Sequence, residues 1–130
     1  MSAPPGVGTP IVYHMAPRAR WAAQPSHQPY AGDTLATEGF IHCTAEPTRL
    51  LHVANSFYRE ETGAWVILLV DTSQVTAPVR WEQADGHLFP HVYGPIELAA
   101  VVQVLDFPRT AAGAYQLPQA LTQSSDRIAS

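Results

Sequence analysis

Ala64-Trp65-Val66-Ile67-Leu68-Leu69-Val70 is the longest uninterrupted apolar run in the chain, and its seven residues decide the fold class. The run is too short for a core helix and carries β-branched Val and Ile, so it predicts a central β-strand. Asp71-Thr72-Ser73 then closes it in a turn. It also falls far short of the length needed to span a bilayer. Upstream, Thr44 is positioned to cap a helix and Glu46 to favour its positive end, while Leu50, Ala54, Phe57 and Glu61 trace one face, widened by Leu51 and Tyr58. A strand, a short connection and an amphipathic helix around this run indicate mixed α and β structure.

Further out, Ile11-Val12-Tyr13 reads as a first strand, and Pro17 opens a helix through Trp21 and Gln24 that Pro25 stops. Gly39-Phe40-Ile41-His42-Cys43 reads as a short strand after a turn-rich stretch. Downstream, Val79-Arg80-Trp81-Glu82 predicts a strand with Arg80 and Glu82 on one face and Val79 and Trp81 on the other. Asp85-Gly86 marks a turn, His91-Val92-Tyr93 a very short extended element with His91 and Tyr93 on one face, and Ala100 to Leu105 a last strand. The expectation is a small single α+β domain with about five or six strands and two principal helices. That domain should occupy residues 11–109, after a flexible lead-in over 1–10 and before a flexible, Ala-, Gln- and Ser-rich tail over 110–130.

Composition narrows the chemistry. Of 130 residues, all seven cationic side chains are Arg and none is Lys, against eleven Asp and Glu, for a net charge of -4. The absence of Lys removes Schiff-base catalysis and the P-loop amine, and the net charge disfavours a nucleic-acid partner. Arg remains suited to carboxylate or phosphate, so an acidic small molecule is the expected ligand. Six histidines form no HExxH and no Cys/His framework, so no metal is expected. The single Cys43 cannot form an intrachain disulfide and, lying beside His42 on a strand, faces away from it; a buried, inert thiol is expected. A cytoplasmic location, away from membranes, is the matching expectation.

The candidate site gathers around Arg80 and Glu82. As residues they admit two readings, a charged outer face on an edge strand or a cleft wall presenting a cation and a carboxylate. The Gly-, Pro- and aromatic-rich segment that follows, with His87, His91 and Tyr93, suits a ligand pocket. His42 fits either a pocket or a satisfied core position. Tyr13 and His14 alternate on the first strand, so one of the two should face a pocket.

Taken together, Tyr13-His14, Trp21, Gly39-Phe40-Ile41-His42-Cys43-Thr44, Arg80-Trp81-Glu82 and Phe89-Pro90-His91-Val92-Tyr93-Gly94-Pro95 resemble the DUF952 family over residues 11–109. That family is similar to the ADP-ribosyltransferase fold and, distantly, to RNA 2'-phosphotransferases that consume NAD. The resemblance implies two curved, mainly antiparallel sheets around a cleft, with NAD as cofactor. On it, His42 orients the nicotinamide ribose, Tyr93 or Tyr13 contacts nicotinamide, and Arg80 holds an acidic group. Glu82 stabilises positive charge developing on the sugar and His91 completes the polar wall; His42, Glu82 and His91 are thus the catalytic candidates, and Tyr13, Arg80 and Tyr93 the ligand-binding ones. An NAD-dependent ADP-ribosyltransferase-like enzyme acting on a small molecule or protein is one expectation. The alternatives are a noncatalytic small-molecule binding protein, a cofactor-independent hydrolase or isomerase in which His and carboxylate exchange protons, and an interaction role.

Overall fold

A computed structural model describes residues 10–122. The lead-in expected over 1–9 and the last part of the expected tail, 123–130, lie outside the described residues. The elements are β1 (Ile11–Pro17), α1 (Arg18–Ala22), α2 (Leu35–Glu38), β2 (Ile41–His42), α3 (Pro47–Phe57), β3 (Trp65–Asp71), β4 (Val79–Ala84), β5 (His87–Val92) and β6 (Val101–Phe107). They form two three-stranded antiparallel sheets, in the orders β1-β3-β6 and β2-β5-β4.

The apolar run is the central strand of the first sheet, with Val12 opposite Val70 and Ile67 opposite Leu105. Its continuous apolarity has a direct cause. Val66, Leu68 and Val70 pack with Val12, Ile41, Val92 and Ile96 in one core, while Trp65 and Ile67 pack with Leu50, Ala54, Phe107 and Tyr115 in another. Alternate residues therefore leave the strand into different cores, and no position is free to be polar. The two sheets are tied at β1, where Tyr13 and Thr44 exchange both backbone hydrogen bonds at 2.8 Å.

Several expectations are corrected. The sheets are not curved around a cleft; neither is curled or barrel-like. Each has three strands, and β2 has only two residues, which leaves little width over which twist accumulates. There is one principal helix, not two. α3 has eleven residues and buries Leu50 and Ala54, whereas α1 and α2, five and four residues long, bury none fully and each lays only one partly buried side chain, Trp21 and Leu35, on the first core. Thr44 does not cap α3, because its backbone is committed to Tyr13; Glu46 occupies the cap position and Pro47 begins the helix. The helix stops at Phe57, which is 65% exposed rather than core-facing.

His91-Val92-Tyr93 belongs to a longer strand, His87–Val92, joined to β4 by Asp85-Gly86 with φ of 51° and 78°, the two left-handed positions of a tight hairpin turn. Pro90 obscured it, since a proline argues against a central strand; its carbonyl still accepts from the Cys43 N–H. Part of the expected tail is packed. Tyr115 and Leu121 enter the second core, and Asn55 on α3 both accepts from the Tyr115 N–H (2.7 Å) and donates to its carbonyl (3.2 Å). Among the described residues no helix is long and apolar enough to cross a membrane.

Candidate functional site

The register of the second sheet assembles the site. His42 lies opposite His91, which lies opposite Arg80, and Glu82 lies opposite Phe89. With the two-residue alternation of strands, His42, Phe89, His91, Arg80 and Glu82 share one face, while Ile41, Val92 and Val79 turn into the first core. Tyr93 follows β5 in the same phase. Five of the six candidates thus come together on one surface, and Tyr13 joins them through its bridge to Thr44.

Glu82 is the hub. Its Oε1 accepts from His91 Nδ1 at 2.7 Å, and the Tyr93 hydroxyl lies 2.7 and 2.9 Å from its two oxygens. These contacts, His91 first, hold the Glu82 carboxyl below the usual carboxylate range, and the same carboxylate raises the Tyr93 phenol. Arg80 lies over the Tyr93 ring, 4.8 Å from its centroid. With Nδ1 as donor to the carboxylate, the neutral His91 ring keeps its lone pair on Nε2. That nitrogen has no partner among the described residues, yet it is not an occluded, unpaired atom, so it keeps access to solvent.

Phe40 stacks on His91 at 4.2 Å and 23°, and its ring also meets those of His42 (4.6 Å) and Tyr93 (5.2 Å). Gly39, with φ of +87°, makes the left-handed turn that delivers Phe40 there. His42 is exposed and pairs with Glu38 at 3.1 Å.

A cleft of about 840 Å³ runs from this face to α3, lined by His42, His91, His87 and Phe89 at one end and Arg49, Val53, Phe57, Tyr58 and Trp65 at the other. Tyr13, His42 and His91 line it; Glu82, Arg80 and Tyr93 do not. Glu82 therefore stands behind His91 rather than facing a ligand, and Arg80 is spent on an aromatic face. Tyr13 and His14 both line the cleft, against the expectation of one.

Within the wall, His14 Nδ1–H donates to the His42 carbonyl (2.6 Å), and Nε2 accepts from the Tyr30 hydroxyl (3.0 Å). Burial lowers the His14 pKa to about 4, so the ring is neutral near pH 7. Burial also raises the Tyr30 phenol well above its usual range and the Cys43 thiol to about 12. Cys43, 2% exposed, is therefore the inert thiol expected, even though it borders the cleft. No group of three or more potential metal ligands occurs among the described residues.

A family model described as a protein of unknown function, DUF952, matches residues 15–104. The chain belongs to the DUF952 family. Two solved structures of protein CC0527 from Caulobacter crescentus are similar to it at 26% identity. The crystal structure has a TM-score of 0.73 and covers 86% of this chain and 98% of CC0527, and the solution NMR structure has 0.66, with 88% and 97%. No functionally curated protein matches the chain. These likenesses bring no link to the ADP-ribosyltransferase or 2'-phosphotransferase fold, and the wider resemblance expected from the motifs is withdrawn.

Sequence reading missed three parts of the DUF952 site. In sequence Phe40 stands only as an apolar strand residue, the His14–Tyr30 pair joins residues too far apart in the chain to connect by pattern, and Arg49 lies outside every motif that marks the site. The last had a signal: Arg49, Val53 and Phe57 recur at the four-residue spacing of one helix ridge.

Proposed function

We propose that this DUF952 protein is a cofactor-independent small-molecule enzyme, a hydrolase or isomerase, in which His91 is the acid–base group and Glu82 its positioning residue. The observation that carries this reading is the 2.7 Å contact between His91 Nδ1 and a carboxylate whose oxygens are also bonded by Tyr93, at the wall of a cleft. A carboxylate so held fixes the tautomer and orientation of the ring and stabilises the imidazolium formed when Nε2 takes a proton. Phe40, stacked on the ring face, holds the imidazole in that orientation.

ADP-ribosyl transfer from NAD asks instead for a carboxylate that faces the sugar. Glu82 has both oxygens engaged and is outside the cleft lining, so the geometry supports proton transfer better. The test is a panel of small esters, lactones and enolisable ketones, followed by turnover and by deuterium uptake from solvent. Turnover or exchange with at least one class is expected, falling roughly 10²- to 10⁴-fold in His91→Gln and by a smaller factor in Glu82→Gln. A folded His91→Gln protein with undiminished activity overturns the assignment. Silence across the panel, with metabolites bound but unchanged, makes the protein a noncatalytic binder.

A further inference from the structure

The cleft has a second end that proton transfer at His91 does not use. Its wall is α3, where Arg49, Val53 and Phe57 stand one turn apart along a single ridge. The ridge places a cation near one end and an aromatic ring roughly 12 Å further along. Among the described residues Arg49 has no carboxylate or carbonyl partner; the side chain of exposed Arg59 has none either, but Arg59 does not line the cleft. Arg18 and Arg20 face Asp106 and Asp33, Arg80 covers Tyr93, and Arg109 binds the carbonyls of Arg59 and Glu61. It is also the only arginine lining the cleft among the described residues.

One further feature points to an absent occupant. Phe57 is a large apolar side chain left 65% exposed at the cleft rim.

We infer that this end binds a monocarboxylate with an elongated apolar body, its acid group on Arg49 and its body along Val53, Phe57 and Tyr58. Charge selects the single negative charge. Asp33, Glu38 and Asp85 also line the cleft, so one Arg balances a carboxylate, whereas a phosphate monoester brings close to two charges and meets repulsion. The inference rests on the reading of the cleft as a substrate site and names the substrate class for it: an apolar acid, or a derivative keeping a free carboxylate, delivered to His91.

The test is titration of the full chain by calorimetry and NMR with straight-chain monocarboxylates from butyrate to octanoate, the matching primary alcohols and the matching alkyl phosphates. Acid affinity should rise about fourfold per methylene and exceed that of the alcohols at least tenfold. Arg49→Gln should erase the difference between acid and alcohol while leaving the alcohols unchanged. Phe57→Ala, at an exposed position that leaves the core intact, should flatten the gain for the longer chains. Equal binding of acid and alcohol, no loss in Arg49→Gln, or tighter binding of alkyl phosphates overturns the inference. His91→Gln should bind octanoate as the parent chain does; selective octanoate binding with undiminished turnover in His91→Gln would overturn the catalytic reading and leave the subsite standing, whereas turnover lost in His91→Gln without selective octanoate binding in the parent chain would do the reverse.

Discussion

His14 gives the sharpest test of how the cleft wall is built. Its ring is wedged between the His42 carbonyl and the Tyr30 hydroxyl, with Nδ1 donating and Nε2 accepting, an arrangement that only the neutral ring satisfies. Burial is the main cause that lowers its pKa from 6.5 to about 4; His42 adds to this, while the carbonyl bond and Asp33 oppose it. The unfolded chain therefore binds a proton at His14 that the folded chain refuses. Stability is complete above pH 6.5 and falls as the pH drops toward 4, after which both states are protonated and the loss levels off. Between pH 7.5 and pH 5 the single group removes about 2 kcal/mol, approaching about 3 kcal/mol at the lower limit. Urea unfolding of the parent chain and of His14→Gln at both pH values measures this difference. A glutamine amide can still donate to the carbonyl and accept from Tyr30 but does not titrate. The variant should lose about 2 kcal/mol less than the parent over this range. Equal losses would refute the burial argument and the tautomer with it.

Three other outcomes check separate parts of the structure. A Cβ on Gly94 would lie 2.6 Å from the Cβ of Ala77, so Gly94→Ala should lower stability by about 1–3 kcal/mol in urea unfolding. Asn55→Ala strips both backbone partners from Tyr115; a loss of about 1–3 kcal/mol and earlier proteolysis of the C-terminal segment are expected. Cys43, with its thiol raised to about 12, should resist iodoacetamide at pH 8 in the native protein and react on unfolding, whereas native labelling at the rate of a free thiol would contradict its burial.

The parts legible in the sequence are those governed by local periodicity. The apolar run named the central strand because each of its residues from Trp65 to Val70 must meet one of two cores, and two-residue alternation placed Arg80 with Glu82 and His91 with Tyr93 on common faces. What joins those pairs is the hairpin register of β4 and β5, which a proline in the strand concealed. The second helix failed for a different reason: Pro17 and Pro25 bound a segment that can turn helically, but of α1 only Trp21 packs on a core, partly buried, which is too little to lengthen it. Tyr115 was assigned to a tail because its docking depends on two backbone bonds to Asn55, sixty residues away, which leave no periodic trace. The site showed the same limit. Arg80 drew attention by standing beside Glu82, yet the cation in the cleft is Arg49, placed there by the packing of α3.

The account turns on Glu82 holding His91 by Nδ1 so that Nε2 is left open. Nitrogen-15 NMR of the histidine side chains reads this directly. In the neutral ring of His91 the account predicts a protonated Nδ1 and an unprotonated, lone-pair-bearing Nε2; a neutral His91 with its proton on Nε2 would contradict it.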